Sequence, residues 1–477
     1  MPDLLELPTQ AMTTDPFASI LLELALLLTM VVVARWLTNR FRQPGVLGEL
    51  LIGVLVGNLG YWLGLPFFDF IMSYGAASPV FDEVWKSGVS VGDAAATIFS
   101  TEEMAPGGRG DQVLQLLSGD HALANVNTGL SLWLFSSLGI ILLLFRVGLQ
   151  TGVRQLREVG AGAARVAVGG ALGTLLLGLG VAWLLPLDLS ASGRFFVAAT
   201  LCSTSIGVVT RMLDDVDKAN TAEGGLILGA CVLNDVIGLV LLALAIELVV
   251  KGHLDLPAVA WLLASSALFL GAIVVFGDRL GRPLAHQLNR ISPAEIRFLA
   301  PLAFAFLLAW LCSTLGLSGT IGGFAAGLIL SDEALRDQTK QMLVPLIAVF
   351  APIFFLLIGM QVNLAVFLEW PTLLLTLALL LVAIVGKLAA AKLAGPGVDH
   401  ATIAFGMLPR GEVALIFVGV GRSLNIIDDS LFAALVAVII LLAFGSGMAL
   451  KWTTTADSPG GEALVTRINR WLTLGRD

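Results

Sequence analysis

The chain has 477 residues, 57% of them hydrophobic and only 13% charged, with a net charge of -8 and a mean hydropathy of +0.92. An ordinary soluble domain carries about 25% charged residues, so this composition describes an integral membrane protein lying almost wholly in the bilayer. Nothing resembling a basic stripe or an aromatic-rich platform supports nucleic-acid binding, and Cys202, Cys231 and Cys312 all fall in apolar segments, so no disulfide framework is expected.

The opening residues, MPDLLELPTQAMTTDPF, are acidic and lack the basic n-region of a cleavable signal peptide. Residues 1–16 are therefore read as an external N-terminus ahead of a retained span. About 20 apolar residues cross a bilayer as a helix. Thirteen such runs begin near residues 17, 44, 129, 163, 193, 223, 257, 295, 318, 343, 371, 400 and 430. They define an all-α polytopic transmembrane domain over 17–450, followed by a short cytoplasmic tail, 451–477. Loops on the cytoplasmic side are enriched in Lys and Arg. With the N-terminus outside, inward loops hold nineteen of the 27 basic residues and outward loops five, while Arg146, Lys387 and Arg410 lie within spans. The expected orientation is N-out and C-in.

Between the second and third spans, residues 67–127 are acidic and mixed and fall on the outward side. They are expected to form an external loop insertion over the outer mouth. His121 and its acidic neighbours are candidate contacts for a partner or a metal.

The second span reads PGVLGELLIGVLVG (44–57) and the ninth SGTIGGFAAGLILS (318–331). Aligned without gaps, Gly45, Gly48 and Gly53 match Gly319, Gly322 and Gly327. The third span holds FRVGLQ (145–150) and the tenth LLIGMQ (356–361), which match Gly148 with Gly359 and Gln150 with Gln361. The charge-derived topology makes each pair run in opposite directions. Spans one to six and eight to thirteen thus read as an inverted repeat, with the seventh (257–276) as a linker helix. Inverted repeats characterise secondary transporters, whose sites lie mid-membrane on helices interrupted in corresponding positions of each half. The fifth span supplies such an interruption in CSTSIG (202–207), and the twelfth supplies another in MLPRGEV (407–413). Ser203, Thr204 and Ser205 in a row weaken a regular helix, and Pro409 and Gly411 flank Arg410. Broken backbone at membrane depth is tolerated only where it lines a cavity or is buried in protein.

All four histidines fall in loops or at span ends, so proton chemistry at the membrane centre has to use carboxylates or lysine. Asp235, in LNDVIGLVLLA (233–243), is the deepest candidate acid, at a cost of roughly 2.5–3.5 kcal/mol on insertion scales. Thr204 and Ser205 are candidate oxygen ligands for a monovalent cation, because Asp235 supplies at most two oxygens. Glu412 comes next among the acids, with adjacent Arg410 as an ion-pair partner. Glu49 is placed to pair with Arg146. Lys387 is a lone cation that either snorkels to the inner interface or serves the site. No nucleophile–base or metal-ligand cluster lies in the spans, so an enzyme is not expected.

CSTSIGVVTRMLDD, LNDVIGLVLLA, SGTIGGFAAGLILSD, FFLLIGMQVNL, VGKLAAAKL and GMLPRGEVALIFVGVG occur in this order. Together they resemble the bacterial monovalent cation:proton antiporter-2 family, which includes NapA-like Na+/H+ antiporters and the membrane part of Kef-type potassium efflux systems. The resemblance spans about 17–450. It implies a thirteen-span NhaA/NapA-like fold with a dimerisation domain and a six-helix core in which two discontinuous helices cross. It further implies that the protein exchanges Na+ or K+ for H+ across the bacterial inner membrane as a homodimer, with no cofactor. A gated Kef-type potassium pathway is the alternative, weakened because the tail is too short for a Kef nucleotide-sensing domain. By resemblance Asp235 takes the place of the essential ion-binding aspartate, Thr204 and Ser205 match the hydroxyl-bearing break, and Lys387 matches a lysine that in some members pairs with a neighbouring aspartate. Asn234 stands where electrogenic members carry a second aspartate, which implies electroneutral exchange. Arg146 stands where an apolar residue is expected.

Overall fold

The computed structural model describes residues 16–454 apart from residues 42, 102, 107, 119–121, 152–159, 186, 188, 215, 220, 252–293, 315–318 and 331–332. The N-terminus to residue 15, His121, the linker helix predicted at 257–276 and the tail beyond 454 lie outside the described residues. Among the described residues every regular element is helical.

The chain runs through α1 (Pro16–Arg40), α2 (Gly45–Trp62), α3 (Pro66–Ser87), α4 (Val91–Ile98), α5 (Arg109–Ser118) and α6 (Ala122–Thr151). It continues through α7 (Ala161–Leu184), α8 (Ala191–Thr200), α9 (Ile206–Asp214), α10 (Ala222–Lys251), α11 (Ala294–Thr314) and α12 (Gly319–Ile329). The last five are α13 (Glu333–Met360), α14 (Trp370–Ala391), α15 (His400–Gly406), α16 (Glu412–Ser423) and α17 (Asp429–Thr454). Eight of these are long and apolar enough to cross a membrane. Twelve of the thirteen predicted spans coincide with a helix or with a pair of half-helices. The tenth begins ten residues earlier than expected, at Glu333 rather than 343, because its charged first turns continue the helix before its apolar part starts.

The described residues fall into two compact units. The first gathers those of Met1–Ile140, Ile347–Val366 and Gly419–Ala433. Its core unites Leu27, Leu132 and Met360 with Phe70, Tyr74 and Phe81 of α3 and with Ala95 of α4. The segment expected as an external loop therefore folds into three helices. Phe67, Phe70, Tyr74, Ala77 and Phe81 recur at three- and four-residue spacing, the signature of an amphipathic helix. Scattered charges mask this period. Ser90 caps α4 by accepting the Asp93 N–H at 3.2 Å.

The second unit gathers the described residues of Ile141–Leu346, Phe367–Val418 and Ala434–Asp477. Val166, Val209, Ile227, Cys231, Ile403 and Met407 belong to its core, which joins α7, α9, α10 and α15.

The sequence repeat has a structural counterpart inside each unit. In the first, a Cβ on Gly53 would lie 3.0 Å from Gly359 Cα, and in the second a Cβ on Gly148 would lie 3.1 Å from Gly327 Cα. Gly53 corresponds to Gly327, and Gly148 to Gly359. Gly48 abuts the backbone of Ala34 in α1, and its counterpart Gly322 abuts Leu308 and Ala309 in α11. The matched glycines thus make the same close helix approaches twice, as small residues do between membrane helices.

Candidate functional site

Two interrupted helices build the centre of the second unit. α8 closes when the N–H groups of Leu201 and Cys202 turn back to Ala198 and Ala199, and the helix resumes as α9 at Ile206. α15 ends likewise at Met407 and Leu408, and Pro409, which has no N–H to donate, separates it from α16. The breaks meet where the Ser205 N–H donates to the Pro409 carbonyl at 3.0 Å. Gly411 permits this meeting, because a Cβ there would lie 2.6 Å from Ser205 Cβ.

Breaking α8 exposes carbonyls at its negative C-terminal end, where cations are favoured. Two buried cations take them. Lys387 Nζ on α14 donates to the Cys202 carbonyl at 3.1 Å, and Arg410 Nη1 donates to the Ser203 carbonyl. Lys387 therefore does not snorkel: its side chain is 0% exposed and runs beside Gly170, where a Cβ would lie 3.3 Å from its Nζ.

Thr204 is the hub. Its hydroxyl donates to the Met407 carbonyl at 3.3 Å and accepts from Asn234 Nδ2 at 3.2 Å and from Arg410 Nη1 at 3.2 Å. A hydroxyl has one proton and two lone pairs, so this oxygen is fully committed. In this arrangement Thr204 ties α10 to both breaks. Asn234 spends its amide on the same hub.

Asp235 follows on α10. It is 1% exposed, and its Oδ2 has no hydrogen-bond partner among the described residues. Ser205, also buried, donates its hydroxyl to Glu412 Oε2 at 2.7 Å. Two expected ion pairs are replaced. Glu412 is held by Ser205 rather than by Arg410, whose guanidinium turns to the first break. Glu49 pairs with Arg35 at 2.8 Å rather than with Arg146, because Arg35 on α1 lies beside the first turn of α2. Asn234, Thr204, Arg410 and Ser203 are thus joined by hydrogen bonds, Ser205 and Glu412 form a second pair, Lys387 holds the Cys202 carbonyl, and Asp235 sits next to Asn234 on α10.

A cavity of about 550 Å³ lies in the same unit, lined by Gln150, Gly162, Ile206, Thr210, Gly225 and Val232 among others. Ile206 directly follows Ser205. Val232 lies three residues before Asp235 and so on the same face of α10, about 4.5 Å below it. Sequence reasoning missed Gln150 and Thr210 as cavity-lining polar groups. Gln150 had surfaced only as half of the repeat match with Gln361.

The model of the family described as "Sodium/hydrogen exchanger, transmembrane" matches residues 94–456. The chain belongs to this family. Among similar proteins is the high-affinity Na+/H+ antiporter NhaS3 of Synechocystis sp., 30% identical over 416 residues, which cover 85% of this chain and 83% of that one. The Na+/H+-K+ antiporter GerN of Bacillus cereus is 29% identical over 358 residues, covering 74% and 91%. Among solved structures, the sodium proton antiporter MjNhaP1 of Methanocaldococcus jannaschii shares the fold at a TM-score of 0.59 and 14% identity, over 95% of this chain and 99% of that one. The chain is thus a multi-pass, all-α member of a transporter family.

Proposed function

We propose that this protein exchanges a monovalent cation, Na+ or K+, for H+, and that Asp235 is the shared site of the two. The observation that carries the reading is the buried, unpartnered Oδ2 of Asp235 beside the crossing of two broken helices. A carboxylate in that setting needs either a proton or a cation, and one group that takes either in turn is an exchanger. Ser205 supplies a further oxygen. Lys387 and Arg410 hold the first break in shape, and Thr204 with Asn234 fixes α10 against it. Relatives named as Na+/H+ and Na+/H+-K+ antiporters support this cation class.

Exchange is electroneutral in this reading. One carboxylate holds one proton or one monovalent cation, and Asn234 offers no second acid. The charge bias of the loops supports an N-out, C-in orientation; the reading places the protein in a bacterial inner membrane, working as a homodimer without a cofactor.

The test is dequenching of a pH-sensitive dye in vesicles reconstituted with the purified protein, with Na+, K+ and Li+ added in turn. Asp235→Asn is expected to abolish cation-driven proton movement while the protein remains folded by size-exclusion chromatography. In the unsubstituted protein the apparent KM for the cation should rise as pH falls, because proton and cation compete. Proton-coupled exchange retained by Asp235→Asn would overturn the assignment. An imposed potential, worth about 2.3 kcal/mol per charge per 100 mV, should leave the rate unchanged; Asn234→Asp should make it voltage-sensitive by adding a second acid.

A further inference from the structure

Glu412 is the first residue of α16, directly after the second break, and its Oε2 accepts the Ser205 proton at 2.7 Å. An acid in the first turn of a helix ordinarily serves that helix's own N-terminus. This one reaches across to the other broken helix. Arg410, two residues earlier, does not neutralise it, since its guanidinium goes to the Ser203 carbonyl and the Thr204 hydroxyl. The Ser205 end of the bond is 2% exposed, so the contact is dry on that side.

The hydrogen-bond inventory of Ser205 fixes what it can still offer. Its proton goes to Glu412, and one lone pair faces the Val208 N–H at 3.4 Å. Among the described residues the second lone pair has no partner. A hydroxyl free to rotate would turn its proton toward a neighbouring carboxylate as readily as its oxygen toward a cation.

We infer that Glu412 is a positioning residue for the transported cation, acting through Ser205. By holding the hydroxyl proton it keeps the remaining lone pair available as an oxygen donor. Its negative charge also polarises that oxygen, since hydrogen bonds in series strengthen one another. The inference rests on the reading that Ser205 faces the cation.

The test is a double-mutant cycle in reconstituted vesicles, with KM and maximal rate measured for Na+ and separately for K+. Glu412→Gln keeps an acceptor for Ser205 but removes the charge. It should raise the KM of the exchanged cation by about threefold to tenfold, a larger factor than its effect on maximal rate. Ser205→Ala should raise KM by about tenfold. The double variant should be worse than Ser205→Ala alone by less than the Glu412→Gln factor, because Glu412 acts mainly through that hydroxyl and only in part by its charge directly on Asp235. An unchanged KM in Glu412→Gln, or factors that multiply in the double variant, would overturn the inference. The same cycle read as the cation-dependent rise in Tm of detergent-solubilised protein reports binding without turnover, so a slow variant remains informative. Exchange retained by Asp235→Asn would sink the site itself. Exchange lost there, with KM unmoved in Glu412→Gln, would sink the role of Glu412 alone.

Discussion

The two units bury charge in different ways. In the first, Glu49 is 2% exposed and meets Arg35 at 2.8 Å, and buried Arg422 is ion-paired with Asp429 and lies 5.2 Å from the Phe432 ring centroid. Each of these charges faces an opposite one; the exception in that unit is half-buried Glu23 on α1, which accepts from the Thr128 hydroxyl and keeps an Oε2 unpartnered among the described residues. In the second unit, Arg410 turns to a carbonyl and a hydroxyl of a broken helix, Lys387 donates to a carbonyl, and Asp235 keeps an unpartnered oxygen. Glu49 and Asp235 are almost equally buried. Depth alone therefore does not distinguish Asp235, the proposed site, from Glu49; the partner does.

The sharpest way to test that comparison is to neutralise one buried acid in each unit. Asp235→Asn should remove all exchange, whereas Glu49→Gln should spare it. The next largest effect is expected from Arg410→Met, which leaves the Ser203 carbonyl without its donor and frees the Thr204 hub. Uncapping buried acceptors costs on the order of 2–5 kcal/mol in total. The variant should show a depressed Tm in detergent together with lost exchange. A stable, active Arg410→Met would mean that the breaks hold their shape without it.

A third effect probes the repeat rather than the charges. Gly53→Ala and Gly327→Ala place the same methyl group at corresponding close approaches, one in each unit. Overpacking of this kind costs about 1–3 kcal/mol. Both variants should lower Tm to a similar extent. If one proved harmless, the two glycine contacts would not be equivalent, and the likeness between the halves would stop at sequence.

Much of this was legible in the residues because membrane physics is restrictive. Apolar runs must be helices there, and CSTSIG and MLPRGEV cannot continue one, so the breaks and Asp235 were visible in advance. Partner choice was not. Arg410 and Glu412 are two residues apart, which suggested an ion pair, but the break between α15 and α16 sends them to different neighbours. The sequence shows that Thr204 has a hydroxyl but not which neighbours use its lone pairs. α3 was missed because its aromatic period is interleaved with Asp69, Asp82, Glu83 and Lys86, and charge outweighed period in reading it.

The smallest expected effect belongs to Glu49→Gln, and it is the one that isolates architecture from transport. Glutamine keeps an oxygen that can accept from Arg35 Nε, so the substitution removes charge and little else. Arg35 is 39% exposed, so solvent screens the pair and the loss should be about 1 kcal/mol or less. That corresponds to a fall in Tm of roughly 1–2 °C for a protein of this size. KM and maximal rate for the cation should stay within error of the unsubstituted protein, measured in the same vesicles as Asp235→Asn. A raised KM in Glu49→Gln would mean that the first unit's acid also meets the ion, and the contrast between paired and unpartnered carboxylates would then fail as a guide to the site.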